Sequence, residues 1–338
     1  MMPAKRPSAT SINQDRLTQL RDQGEDSEVL LMRLALTENE GMRKTLAEMA
    51  KAPRCYPEIL PTQASGRWST KNPALVSFPR EFWRDHKGII HPDKNEWWLE
   101  WDWSGIEARI FTAYTGDEED VMLFQLGKDI HTFTCSKYLF EWAPNLRVDS
   151  PLNGYNLPTD WQGGTDERRV RAKNFRYGPY QYGTGVQAVL GMPGIEKLGL
   201  DRVVLIRRAT RFLAARPKAQ AWKQATWQTC QEQKVARTFM GRRRLLFGNP
   251  TERAKDGLNH IIQGSVADLM AWCLIAIMKQ WPQASLIMNK HDGATVTFPK
   301  SLDPHAIQAQ VKALVEKEWE VGQGVKMNFP ATWEMTYG

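Results

Sequence analysis

The stretch that most restricts how this chain folds is 97–131, WWLEWDWSGIEARIFTAYTGDEEDVMLFQLGKDIH. It opens with bulky aromatic and aliphatic side chains through Trp103, the composition of a strand. Ser104-Gly105 interrupts the run, and Ile106, Ile110 and Ala113 then recur three or four apart, as on one face of a helix. A switch from strand to helix over so few residues puts Asp102 at the very end of the strand. Its carboxylate either caps the helix that follows or sits rigidly at the sheet edge, open to solvent, where it can take a metal ion. The stretch by itself leaves both open.

A second stretch bears on the choice. Residues 285–298, SLIMNKHDGATVTF, read as two short strands joined by a tight turn at His291-Asp292-Gly293. A hairpin tip places the Asp292 carboxylate at a sheet edge, as the strand end does for Asp102. Two such carboxylates on adjacent strands form an oxygen cage for hard divalent cations, the arrangement that phosphoryl transfer with two metals requires.

Composition sets outer limits. A chain of 338 residues with 42% apolar content has enough material for a sizeable core, as one large domain or a few subdomains. The net charge of +7 suggests a polyanionic partner. Cys55, Cys135, Cys230 and Cys273 are scattered without metal-ligand spacing and read as thiols of a reducing compartment. With no apolar run near membrane-spanning length and no signal-peptide core, the expectation is a soluble, cytoplasmic protein with no membrane partner.

Past Thr165-Asp166-Glu167, which read as a helix start with a capping hydroxyl and first-turn acids, Arg169, Lys173 and Tyr177 are four apart and share one helical face. Such a row is either a solvated charged face or a nucleotide-binding one, cations for a triphosphate and a ring beside the base or sugar. Residues 200–233 read as helical, 238–247 as a strand–turn–strand with Arg242, Arg243 and Arg244 in the turn, 251–277 as a long helix, and 306–320 as a helix before a closing strand.

The motifs together resemble DNA polymerases of family A, the Pol I-like group. DWSGIEARI followed by GKDIHTFT is similar to that family's first motif, RRVRAKNFRYGPYQYG to its second, and KHDG to its third. SGRWSTKNPALVSFP, TFMGRRRLLFG and LNHIIQGSVADLM match flanking blocks in the family's order, so the resemblance spans residues 65–338. It implies an α/β (α+β) right-hand architecture, an antiparallel palm sheet with helical fingers and a reduced thumb. The expected division is a mobile tail at 1–27, a thumb remnant at 28–64, palm at 65–128 and 251–338, and fingers at 129–250.

The resemblance also implies roles. Asp102 and Asp292, with the carbonyl of Trp103, hold two Mg²⁺ ions. His131, Arg169 and Lys173 clamp the triphosphate of a dNTP, Lys173 is the general acid for the departing pyrophosphate, and Tyr177 lies beside the nucleotide. Glu107 crowds the 2′ position and excludes ribonucleotides. Arg67, Arg242, Arg243, Asn259, Gln263 and His291 contact primer–template DNA. The same comparison exposes departures. Gly293 stands where relatives have glutamate, and Gly105 where they have glutamine. The repeated aromatic-Gly pair is five apart, Tyr177-Gly178 and Tyr182-Gly183, with Pro179 between, where relatives have four; either Tyr180 or Tyr182 takes the template-side place. About sixty residues precede the first matching block, so an exonuclease module is expected to be absent and a separate exonuclease or processivity subunit is a plausible partner. A phage with a divided gene would be one source, with the host cytoplasm as the workplace. A single-subunit RNA polymerase and a non-catalytic nucleic-acid-binding homologue are the competing readings.

Overall fold

The computed structural model describes residues 45, 49, 57–60, 63, 65–75, 91–140, 157, 160–186, 201–322 and 324–338. The expected tail and nearly all of the expected thumb remnant lie outside them. Two compact units emerge, 1–60 with 69–89 and 61–68 with 90–338. In the first, β1 (Glu58–Leu60) pairs antiparallel with β2 (Ser69–Lys71), with Glu58 opposite Lys71.

The second unit begins with β3 (Glu96–Trp103) and then α1 (Ile106–Thr115), α2 (Glu118–Gln125) and α3 (Ile130–Thr134), which runs on through π-helical turns over Cys135–Leu139. Next comes α4 (Glu167–Phe175), extended in π-helical form over Arg176–Tyr182, and then α5 (Arg202–Ala214) and α6 (Pro217–Gln233). A hairpin of β4 (Val235–Arg237) and β5 (Arg243–Leu245) leads to α7 (Pro250–Asn259), a π turn at His260–Gly264 and α8 (Ser265–Gln280). The chain closes with β6 (Ser285–Lys290), β7 (Gly293–Pro299), α9 (Pro304–Val315), β8 (Trp319–Gly322), β9 (Val325–Met327) and β10 (Ala331–Tyr337).

The main sheet has the order β10-β3-β7-β6, antiparallel throughout. Its central strand alternates strictly: Trp97, Leu99, Trp101 and Trp103 are all at most 2% exposed. Burial of each such side chain stabilises by about 1.5–3 kcal/mol or more. Leu269, Met270, Cys273 and Ile277 of α8 enter the same core, as do Ile110 and Phe111 of α1. The other face of β3 is polar: Glu100 pairs with Lys290 at 2.7 Å and accepts from Thr295.

Aspartates start the helices. Asp117, Asp129, Asp166, Asp201 and Asp303 accept backbone N–H groups at the N-termini of α2, α3, α4, α5 and α9. Asn249 and Glu252 form a reciprocal capping box on α7. At α4 it is the Asp166 carboxylate that caps; the Thr165 hydroxyl donates to Gln162 instead. The helical region expected at 200–233 is two helices, because Pro217 cannot continue α5 and starts α6 in its first turn. The helix expected to reach 320 stops at Val315, and Trp319 joins a small hairpin instead, packed edge-on against Trp272 at 4.9 Å. The helical run Pro250–Gln280 is 31 residues long with mean hydropathy 1.8 over its most apolar window. That corrects the reading that no apolar run approaches membrane-spanning length; 56% of the window is buried in the protein, as for a core helix.

Candidate active site

Asp102 and Asp292 arrive at the same end of adjacent strands. Asp102 is the register partner of Gly293, and Asp292 immediately precedes Gly293 in a two-residue turn. The Trp103 N–H donates to the Asp292 carbonyl at 2.8 Å, locking the strand end to the turn. His291 holds the turn in the left-handed region, φ 58°. The helix after β3 begins at Gly105, φ 65°, with no side-chain cap, so Asp102 does not cap it. Both carboxylates are half-buried. The donor set is hard oxygen, which suits Mg²⁺; two carboxylates leave positions for water and substrate oxygens. Among the described residues no cluster of three or more His, Cys, Asp or Glu forms a closed metal cage.

Glu107 stands on the first turn of α1 and is held on both oxygens. Arg67 donates to Oε1, the Tyr182 hydroxyl donates to Oε2, and Gln181 Nε2 lies 3.5 Å from Oε2. Gln263 hydrogen-bonds the Tyr182 oxygen in turn. Burial and then the charge of Glu107 hold the Tyr182 phenol above its ordinary range, so it stays a donor. Burial, reinforced by Glu107 and then Asp292, does the same to Tyr177 and places that phenol within the field of both acids.

The two tyrosines sit in different surroundings. Tyr180 is 1% exposed, donates to Asp120 at 3.2 Å and packs edge-on against Phe111 and Phe212 at 5.1 and 5.0 Å. It is a core residue; Tyr182 faces the site. The extra residue in the second motif is absorbed by the π-helical turns over Arg176–Tyr182, closed by Gly183 in the left-handed conformation. A buried ion network anchors this segment: Arg176 donates to Asp120 and to Thr134 at 2.8 Å, and Arg216 bonds Glu119 and lies 3.6 Å from Asp120.

On α4, Arg169 is tied rather than free. Its Nε is 2.5 Å from Asp129, whose carboxylate also accepts from the His131 N–H and the Thr132 hydroxyl. Lys173 Nζ lies 5.9 Å from the Tyr177 ring, and the His131 ring lies 5.7 Å from it. His131 is 6% exposed, and burial pushes its pKa down to about 3, so the imidazole is neutral at neutral pH. Among the described residues, His131 Nδ1, Asn259 Oδ1 and His291 Nδ1 are buried atoms without a hydrogen-bond partner.

The basic hairpin divides. Arg242 donates to Asp268 at 2.5 Å, to the Gly264 carbonyl at 3.0 Å and to the Ser65 carbonyl at 3.2 Å, holding the loop that delivers Arg67. Arg243 is exposed. Asn259 precedes the π turn and Gln263 lies within it, and it is Gln263 that reaches Tyr182. Sequence reasoning missed Asp129 as the partner of Arg169, Gln181 beside Glu107, and the supporting role of Arg242. Asp129 had a signal, its place in GKDIH two residues before His131; the others depend on long-range packing.

A sequence model described as DNA polymerase family A matches residues 2–338. The thermostable DNA polymerase I of Thermus filiformis is 28% identical over 286 residues, covering 77% of this chain and 31% of that protein. DNA polymerase I of Aquifex aeolicus is 28% identical over 285 residues, covering 81% of this chain and 43% of its own length. The chain thus spans under half the length of these relatives. Among solved structures, the POL domain of Pol1 from M. smegmatis, in complex with DNA primer-template and dNTP, superposes with a TM-score of 0.73 at 19% identity. The match covers 96% of this chain and 55% of that one, so the mixed helical and antiparallel-sheet fold is shared.

Proposed function

Because the chain belongs to DNA polymerase family A, we propose that it carries out template-directed DNA synthesis, joining dNTPs to a primer 3′-hydroxyl. The observation that carries this reading is the meeting of Asp102 and Asp292 at one end of adjacent strands, with Glu107 and Tyr177 in the same electrostatic neighbourhood. Asp102, Asp292 and the Trp103 carbonyl are the groups that would hold two Mg²⁺ ions, which when bound supply positive charge to the primer hydroxyl and the leaving group. The primer 3′-hydroxyl gives up its proton to solvent, a bond forms between its oxygen and the α-phosphorus, the bond to the bridging oxygen breaks, and pyrophosphate departs.

The chain's own residues do the rest. Lys173 gives a proton to the departing pyrophosphate, and Arg169 binds the triphosphate by exchanging its Asp129 partner for phosphate oxygens. Neutral His131 contributes a hydrogen bond rather than a charge. Glu107, fixed by Arg67 and Tyr182, presents its carboxylate where a 2′-hydroxyl would sit. Tyr177 stacks beside the nucleotide. Arg67, Arg243, Asn259, Gln263 and His291 meet the primer–template, while Arg242 supports Arg67.

Primer extension with Mg²⁺ and each nucleotide type tests the reading. Addition of dNTPs but not NTPs is expected. Extension with NTPs alone would mean an RNA polymerase, and binding of primer–template without extension a non-catalytic homologue. Glu107→Ala is expected to admit NTPs.

A further inference from the structure

Lys223 of α6 is only 8% exposed and has no carboxylate partner among the described residues. Burial alone lowers its pKa to about 8, so the ammonium still carries its charge at neutral pH. A desolvated cation is costly unless something compensates it. Here the compensation is backbone: Nζ donates to the Tyr180 carbonyl at 2.7 Å and to the Pro179 carbonyl at 3.4 Å. Both carbonyls lie in the last turn of the π-helical run, where a helix has no donors of its own left to offer. The Gly183 and Thr184 N–H groups both go to the Gly178 carbonyl, one residue short of them. A cation at this end also complements the helix dipole.

The rest of α6 fits the same task. Trp227, one turn after Lys223, closes on Gly183, where an added Cβ would lie 2.8 Å from the ring. Trp222 stacks on Tyr114 at 5.3 Å and meets Phe111 edge-on at 5.7 Å, both of them on α1. Glu107 lies one turn before Phe111 on that helix. One helix thus touches both the carrier of Glu107 and the carrier of Tyr182.

We propose that Lys223 is a positioning residue for sugar selection: by clamping the Pro179 and Tyr180 carbonyls it fixes the end of the π turns, so that the Tyr182 hydroxyl reaches Glu107. The clamp is matched to the π form of the segment, whose carbonyls it meets. The proposal rests on the functional reading above for the role of Glu107; the clamp itself stands on geometry alone.

The test uses the full chain as wild type, Lys223→Met, Lys223→Arg, Tyr182→Phe and the double variant Lys223→Met with Tyr182→Phe. Circular dichroism and chemical denaturation follow folding, and hydrogen–deuterium exchange follows the backbone of the second motif. Single-nucleotide primer extension gives kcat/KM for dNTPs against NTPs. Lys223→Met is expected to stay folded, since methionine keeps the bulk of the stem without the buried charge. Exchange at residues 181–184 is expected to rise by about 10-fold in that variant, with 167–175 unchanged. Discrimination for dNTPs is expected to fall by about 5-fold, and Lys223→Arg, which keeps the charge and donors, to stay within about 2-fold of wild type. In the Tyr182→Phe background the Lys223→Met change is expected to add less than about 2-fold, because both act on one hydrogen bond. Unchanged discrimination in Lys223→Met, losses that simply multiply in the double variant, or a Lys223→Arg chain as poor as Lys223→Met each overturn the proposal. So does a Lys223→Met chain that fails to fold while Lys223→Arg folds, which would make the lysine a folding requirement. A wild type that extends no primer, or takes dNTPs and NTPs equally, would instead defeat the functional reading, and exchange at 181–184 would still decide whether the clamp exists.

Discussion

Two ends of the site are held by different means. Asp102 and Asp292 belong to strands whose register runs through seven consecutive pairs from Glu96 opposite Pro299 to Asp102 opposite Gly293. Shifting either carboxylate requires breaking a ladder whose buried face carries Trp97, Leu99 and Trp101. Tyr182, by contrast, hangs at the end of π-helical turns interrupted by Pro179. Its position depends on a few side-chain bonds, to Glu107 and Gln263, and on Lys223, whose Nζ caps the Pro179 and Tyr180 carbonyls at 3.4 and 2.7 Å. The carboxylates are preorganised by the sheet; the tyrosine is placed by a local network that substrate binding is able to rearrange.

The sharpest way to break this contrast is at the sheet. Asp102→Ala and Asp292→Ala are each expected to lower kcat/KM for primer extension by on the order of 10³-fold or more, with the melting temperature nearly unchanged. A mutant that keeps activity would remove the sheet end from the chemistry.

A pH titration probes the ground between the two ends, where His131 packs beside Tyr177. Burial lowers the His131 pKa from 6.5 to about 3. Between those values the unfolded state binds a proton that the folded state does not, so stability falls as pH drops below 6.5. Asp129, whose pKa is lowered by its hydrogen bonds with Arg169 and Thr132 against the opposing cost of burial, acts in the same direction only near and below 3.8. His131→Gln is therefore expected to flatten the slope between pH 6.5 and about 4.5 in chemical denaturation.

At the helix end, two hydroxyl deletions should separate cleanly. Tyr182→Phe removes a donor to the Glu107 carboxylate, an interaction worth about 1.5–3 kcal/mol, and is expected to reduce dNTP over NTP discrimination by roughly 10-fold. Tyr180→Phe, in the core, is expected to cost about 1–2 kcal/mol of stability in chemical denaturation with discrimination unchanged.

These differences mirror what was legible in the sequence. Asp102, Asp292 and Glu107 were placed by local patterns, a strand-to-helix switch and a hairpin, and such patterns determine which strand end or first turn a residue occupies. Tyr182 could not be separated from Tyr180, because spacing alone does not say whether an inserted residue ends a helix or is absorbed by a π turn. The same limit hid the partner of Arg169, which lies forty residues away in sequence, and hid the use of Arg242 as a brace for the Arg67 loop. The strand at Trp319 was missed for another reason: its pattern suits either period, and the ring of Trp272 decides it.

The smallest effect is expected from shortening the helix end itself. In a π turn each residue advances less around the axis than in an α turn, so five residues return to nearly the face that four α-helical residues reach. Deleting Pro179 would remove the residue that cannot donate a backbone N–H and let α4 continue in α form to the position of Tyr182. The tyrosine would then still meet Glu107, and sugar discrimination is expected to stay within about 2-fold of wild type, since an unchanged hydrogen bond shifts specificity by well under 1 kcal/mol. A large loss in the deletion variant would instead show that the π turns do more than absorb an extra residue, and that Tyr182 needs the Lys223 cap on their carbonyls to reach its partner.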